Sequence, residues 1–479
     1  MKRYICMALA IAALASSASA KSPKRGVSED SFSIEKQMSV LEPGVSWYYN
    51  WSAVPGKGYQ SQVMNYNGYE FIPMAWNGNF DEQAMRDYLA AHPEVKYLLG
   101  FNEPNFTKQA NMTPAAAAEN WPRLQAIAKD FGLKLVAPAM NYSPNAPYQD
   151  PTKWFDEFVE LVGTDAFDFV AIHNYGGLGV MKTLAGTFHE RYGKDVWVTE
   201  FCYWPEEGNA NARVEPDVQI QSMVETVEWL EKTPWIYRYA WFKPIGIHEN
   251  TATSWGPCYG LIISENGLGD RRLSPQGYVY LHMSDFDPER WHECGSLVPA
   301  SEYSAQNGIS LAPGSNPEAP KPIEISRFSA GAWADYQIDV PETDTYTLSL
   351  TVSGKGEPVR FDPTLAIELV DGDNTSVLSE ARKYTLSGDD AIYTVLKFDI
   401  SLESGHRTIR IHDTAPSEPS GIRLSTLRID PKSSIADILA DSCDSDADNK
   451  VYSIDGLPQN PDCLAPGIYI RSGKKFVVK

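Results

Sequence analysis

From about residue 39 to residue 290 the chain repeats one unit, a short apolar strand and then a helical pattern. That repetition constrains the fold more than any other feature. Strand candidates are GVSWYYNW (44–51), YEFIPMAW (69–76), VKYLLGFNE (95–103), LKLVAPAM (133–140), FDFVAIHNY (167–175), VWVTEF (196–201) and IYRYAWF (236–242), with a weaker eighth in CYGLII (258–263). Helical patterns fall between them, as in DEQAMRDYLAAH (81–92), TPAAAAENWPRLQAIAKDFG (113–132) and QIQSMVETVEWLEK (219–232). Asp81 and Thr113 stand where N-caps belong, Pro114 at a first helical position, and Gly132 where a helix ends. Strand-then-helix repeated over ~250 residues predicts an α/β fold, a (β/α)8 TIM-like barrel. A doubly wound sheet is the alternative, but no glycine-rich phosphate loop follows the first strand.

Beyond residue 291 helical periodicity disappears. Short alternating strands, among them WADYQIDV (333–340), TYTLSLTVS (345–353) and HRTIRIHD (406–413), predict an all-β jelly-roll sandwich over 291–432. An acidic, serine-rich stretch then opens a small β unit at 433–479. At the other end, Lys2 and Arg3 precede an apolar run that closes on Ala18-Ser19-Ala20, the pattern of a secretory signal peptide over 1–20. Residues 21–38 are polar and read as a leader or linker, which leaves 39–290 for the barrel. No other stretch approaches the ~20 apolar residues of a membrane span, so the expectation is a secreted or cell-surface protein that does not span the membrane. Five cysteines follow the signal segment, Cys202, Cys258, Cys294, Cys443 and Cys463; an odd number leaves one unpaired. Cys443 with Cys463 would close a local loop. No His/Cys spacing resembles a zinc site, and no cofactor motif is present.

Formal charge is −21, which disfavours nucleic acid and anionic membranes and suits a neutral substrate. Aromatic residues are abundant, with 13 Trp and 25 Tyr. Trp121, Trp154 and Trp235 fall at helix or core positions. Trp47, Trp51, Trp76, Trp204, Trp241 and Trp255 fall at or beyond strand ends, where their faces suit sugar rings.

Two strands end on a glutamate. Alternation places Leu99, Phe101 and Glu103 on one face, and Val196, Val198 and Glu200 on another, each acid arriving last at the C-terminal end of its strand. In a barrel that end is the active-site face. Pro104 biases Glu103 away from helical angles, so strand geometry is expected to persist through the carboxylate. Phe169, Ala171, His173 and Tyr175 share a face that reaches the same mouth, and Trp241 arrives with Tyr239. A lone strand-end glutamate is usually a solvated carboxylate or an ion-pair partner. A pair of them with a histidine, a tyrosine and an asparagine suits acid/base and nucleophilic work on a glycosidic bond.

The ordered set SWYYNW, FIPMAW, LLGFNEPN, VAIHNYG, VWVTEF, RYAWF and LSPQGYVY, over roughly 41–285, resembles the clan A glycoside hydrolases and, more narrowly, family 128 endo-β-1,3-glucanases. The resemblance implies Glu103 as general acid/base and Glu200 as nucleophile. It further implies Asn102 on the sugar 2-hydroxyl, Tyr175 orienting Glu200, and His173, Trp47, Trp76 and Trp241 as sugar contacts, with no metal or cofactor. In that clan the two acids lie on the fourth and seventh strands; here they fall on the third and sixth visible ones. VPASEYSAQNGI and GAWADYQIDVPETDTYTLSLTV resemble carbohydrate-binding module family 6, although Ser301 stands where that family often has a glutamate near a calcium. GIYIRSGKKFVVK resembles type IX secretion sorting tails and implies that machinery as a partner. The implied function is hydrolysis of β-1,3-glucan. The rivals are another β-glycan, such as β-1,4-mannan or β-1,4-glucan, and a non-catalytic glycan-binding surface protein.

Overall fold

A computed structural model of the chain describes residues 21–56, 66–204, 214–245, 259–263, 272–354, 362–415, 421–432 and, in the C-terminal unit, 451–453, 458–459, 464–471 and 474–478. Residues 1–20, expected to be a signal peptide, and Trp255, Cys258, Cys443 and Cys463 lie outside the described residues.

The barrel is built from β1 (Arg25–Ser28), α1 (Glu35–Ser39), β2 (Trp47–Tyr49), β3 (Glu70–Phe71), α2 (Glu82–Ala91), β4 (Tyr97–Leu99), α3 (Pro114–Phe131), β5 (Lys134–Met140), α4 (Pro151–Val162), β6 (Phe169–Asn174), α5 (Leu178–Tyr192), β7 (Val196–Phe201), α6 (Pro216–Lys232), β8 (Ile236–Phe242) and α7 (Pro275–His282). The helix signals act locally. Asp81 and Thr113 accept from the Ala84 and Ala116 amides, at 3.0 and 3.1 Å, and Gly132 ends α3 at φ +67°. The eight strands form one parallel sheet in the order β3-β2-β1-β8-β7-β6-β5-β4. Its two edges meet where the Leu99 amide bonds Pro73 O and the Ala75 amide bonds Leu99 O, each at 3.0 Å. The sheet is thereby curled into a TIM-like barrel.

The first strand corrects the expectation for residues 21–38, part of which is barrel wall rather than leader. β1 pairs in parallel with both β2 and β8. Its opening residue, Arg25, is 2% exposed and its guanidinium is fully engaged. It donates to Tyr239 Oη at 3.0 Å, to the carbonyls of Tyr280 (2.7 Å), Met283 (3.2 Å) and Ser284 (2.8 Å), and to Glu231 Oε1 at 3.0 Å. The weak eighth candidate is corrected as well: Ile262–Ile263 pairs antiparallel with Arg272–Leu273, outside the barrel. With β1 counted, Glu103 follows the fourth strand and Glu200 lies on the seventh.

The remaining described residues form a ten-stranded unit, antiparallel except where His292–Glu293 pairs in parallel with Ile323–Val340, and a four-stranded one. The larger runs Asn374–Lys383, Thr364–Asp371, Gly405–Asp413, Ile323–Val340, Ile422–Pro431, Asp344–Gly354, Thr394–Leu402 along its main path. It is fastened to the barrel by Glu302, a buried carboxylate that meets Ser284 Oγ at 3.1 Å, Arg290 Nη1 at 3.1 Å and the Lys321 ammonium. Ser310 Oγ to Gln221 Oε1 at 2.6 Å and Gln306 Nε2 to Glu228 Oε2 at 3.2 Å tie the same two units along α6.

Candidate active site

Strand alternation carries His173 to the mouth but does not by itself carry the glutamates. On β6 the pattern is regular: Phe169 and Ala171 face the barrel interior with Trp197 and Ala240, and Val170 and Ile172 face the helices. On β7 it breaks. Trp197 points inward, while Val196 and Val198 pack outward, opposite to the expected face. The register jumps from Ile172↔Val198 to His173↔Glu200, leaving Thr199 as an extra residue, a β-bulge that brings Glu200 inside. On β4 the parity also shifts. Leu99 lies in the interior, but Phe101 packs edge-on against Trp121 of α3. Gly100 lets the backbone pass close to β5, where a Cβ would sit 2.8 Å from Val136 O. Glu103 then takes φ +43°, a left-handed conformation instead of continued strand.

Glu103, His173 and Glu200 are all buried, with 4%, 0% and 5% exposure. His173 Nδ1 lies 2.9 Å from Glu103 Oε1 and 3.4 Å from Glu200 Oε2, and Nε2 lies 3.0 Å from Thr199 Oγ1. With carboxylates on the Nδ1 side, the proton sits on Nδ1 and Nε2 accepts from the Thr199 hydroxyl. His173 is therefore a bridge between the two acids, not a sugar contact.

The two carboxyls receive unequal support. Glu200 Oε1 accepts from Trp51 Nε1 at 2.7 Å and Tyr49 Oη at 3.1 Å, while Oε2 accepts from Tyr175 Oη. Glu103 Oε1 accepts from Asn141 Nδ2 at 3.2 Å besides His173. Its Oε2 takes no hydrogen bond among the described residues. Burial pushes the Glu200 carboxyl above its ordinary range; the neighbouring Glu103 adds to this, and His173, Tyr175 and Trp51 pull it back. Burial, with the Glu200 charge, holds the Tyr49 phenol well above its usual value, so it remains a donor. One donor atom from each of Glu103, His173 and Glu200 lies within 4.8 Å of the others, which also meets the geometric condition for a metal site. Both His173 nitrogens are turned to protein partners.

The other expected residues divide. Asn102 is 2% exposed; its Nδ2 lies 3.3 Å from Gln109 Oε1 and its Oδ1 has no hydrogen-bond partner among the described residues. Trp76 is half-buried, and its carbonyl accepts from the Asn102 amide at 3.0 Å. Trp47 and Trp241 are not sugar contacts. Trp47 is the barrel's floor, fully buried, bonded to Lys24 O at 2.9 Å and 5.2 Å from the Trp197 ring. Trp241 faces the helices, bonded to Tyr259 O at 2.8 Å, because Ala240 takes the interior position on β8. Phe242 lines the mouth instead, 5.4 Å from Tyr175 and 5.9 Å from Trp51. Tyr49, Trp51, Asn141 and Thr199 are absent from the sequence-based site. A layer count along WYYNW would have found the first two, since Tyr49 and Trp51 stand one and two layers nearer the C-terminal end than Trp47.

The chain matches the family model described as "Glycosyl hydrolase catalytic core" over residues 26–276, just over half of its length. No curated protein matches it. Among solved structures it is similar to a GH128 (subgroup II) endo-β-1,3-glucanase from Pseudomonas viridiflava, at 38% identity over 55% of this chain and 98% of that one, with a TM-score of 0.46. A second GH128 (subgroup II) endo-β-1,3-glucanase, from Sorangium cellulosum, is 31% identical over 54% and 97%, with a TM-score of 0.43.

Proposed function

The chain belongs to the glycosyl hydrolase catalytic core family, and on that premise we propose that it hydrolyses β-1,3-glucan by double displacement. Glu200 is the nucleophile and Glu103 the general acid/base. The observation that carries this is the asymmetry of the paired carboxyls. Three donors reach Glu200 and favour its anion, while Glu103 keeps one oxygen free for a proton. Glu200 attacks the anomeric carbon as Glu103 protonates the departing glycosidic oxygen. Glu103, now ionised, then takes a proton from the water that releases the sugar from Glu200. Retaining enzymes hold their carboxyls ~5–5.5 Å apart and inverting ones ~6.5–9.5 Å; one oxygen of Glu103 lies within 4.8 Å of one oxygen of Glu200, a closeness that agrees with retention.

The acids do not encode linkage. The choice of β-1,3-glucan rests on the ordered motifs over 41–285 and on the sequence identity to proteins described as endo-β-1,3-glucanases. A panel of β-1,3-glucan, β-1,4-glucan and β-1,4-mannan with product sizing tests it, and release of reducing ends from mannan alone would replace it. Glu200→Ala is expected to abolish turnover, and azide to restore some of it by forming an α-glycosyl azide. Normal turnover in that variant would refute the assignment. Trp333 of the β domain has its face covered by Arg410, 3.6 Å from the ring centre, and Arg410 is paired with Asp335 at 2.7 Å. That favours a supporting role for this unit over sugar stacking on Trp333. Export is part of the proposal and rests on residues 1–20; N-terminal sequencing of exported protein should begin at Lys21.

A further inference from the structure

We propose that the cleft between barrel and β domain holds the same polysaccharide beyond the catalytic pocket, so that long chains are hydrolysed in preference to short ones. This rests on the glucanase reading above. The cleft has a volume of about 930 Å³, within the ~300–1,000 Å³ range of ligand sites and at a domain boundary, where such sites concentrate. It shares two loops with the pocket. Its barrel wall begins at Gly177, two residues after Tyr175, and at Tyr203, three residues after Glu200.

Tyr203 is held rigidly at this threshold. Its amide donates to Gln219 Oε1 at 2.9 Å and its carbonyl accepts from Gln219 Nε2 at 3.0 Å, and Gln219 is fully buried. A Cβ on Gly177 would meet Tyr203 Cε2 at 3.6 Å, so the ring rests on a glycine that leaves its approach open. An aromatic side chain on an anchored backbone at a cleft entrance suits a sugar ring. The lining also includes Ser222 from α6 and Ser326, Ser329 and Arg327 of the β domain; Arg327 is exposed and makes no ion pair among the described residues. Two carboxylates and two guanidinium groups line the whole cleft. That balance, with several hydroxyls, suits a neutral polyhydroxylated chain better than an ion. The Ser310–Gln221 and Gln306–Glu228 bonds join the two walls along α6 and fix their spacing.

The test compares kcat/KM on laminarin with kcat/KM on laminaritetraose, for the parent protein and two variants. Ser326→Trp fills the cleft and Arg327→Ala removes its unpaired cation. The ratio of long- to short-chain efficiency should fall about tenfold in at least one, equivalent to ~1.4 kcal/mol, with melting temperatures reported for both. A ratio unchanged in both variants, from a parent that cleaves β-1,3-glucan, overturns the cleft and leaves the catalytic assignment standing. A parent that cleaves neither substrate refutes the linkage instead. The cleft is then judged by electrophoretic retention on gels carrying the β-glycan panel, where equal retention of parent and Ser326→Trp on every gel overturns it.

Discussion

Trp51 reaches Glu200 from a left-handed backbone position, φ +55°, and its indole is the closest donor to Glu200 Oε1. In the proposed mechanism the reactive form of Glu200 is the anion, so activity should fall as pH drops through its pKa. Burial raises that pKa, which puts the acid limb of kcat/KM above the ordinary glutamate value of 4.5. Trp51→Phe removes a donor that favours the anion. The limb should move to still higher pH, by up to about one unit, and kcat should fall about tenfold or more; a limb that stays in place would show that Trp51 only packs. The same burial weighs on folding. Because the folded-state pKa exceeds the unfolded one, the penalty is present above the folded pKa and vanishes below the unfolded value. Glu200→Gln is therefore expected to raise the melting temperature at pH 7, by about 2–4 °C per ~1 kcal/mol relieved, and to leave it unchanged at pH 3.

At the scale of elements, β1 is where the sequence was least legible and β6 where it was most so. β6 is a regular alternating strand, and simple parity carried His173 to the mouth. β1 is four residues long and begins with arginine, so it has no apolar rhythm; its burial is secured by Glu231 and three carbonyls that sequence cannot anticipate. The Thr199 bulge was invisible for a similar reason. Parity read backwards from Glu200 gives the wrong face for Val196 and Val198, although the glutamate itself was found by its place at the strand end. The two misplaced tryptophans follow from the same rule, since indole size marks core floor as readily as sugar platform. Arg25→Met would strand the Glu231 charge in the interior and is expected to destabilise the fold by ~3–5 kcal/mol in urea unfolding. Adding Glu231→Leu should recover part of that loss. A single variant as stable as the parent would mean that β1 is not holding the barrel closed.

Across the whole molecule, the barrel and the β domain meet through Glu302. Burial pushes its carboxyl up, but Lys321, followed by Arg290 and His292, outweighs that and holds it below the ordinary range. A depressed folded-state pKa gives stability that is present above the unfolded value and lost as pH falls through the folded one. Heating near neutral pH should therefore melt the two units together, and scanning calorimetry at a pH acidic enough to protonate Glu302, below the ordinary glutamate range, should resolve two transitions. Glu302→Gln should separate them already at pH 7; a single transition throughout would mean that apolar contacts alone join them. The long reach of Arg25 has a consequence in time. Its carbonyl partners begin 255 residues downstream, at Tyr280. A growing or translocating polypeptide holds β1 ready but cannot seat that guanidinium until the last helix of the barrel has emerged. The ring closes only once residues 280–284 are out, with the β domain still to be made, and a shorter nascent chain carries no finished pocket.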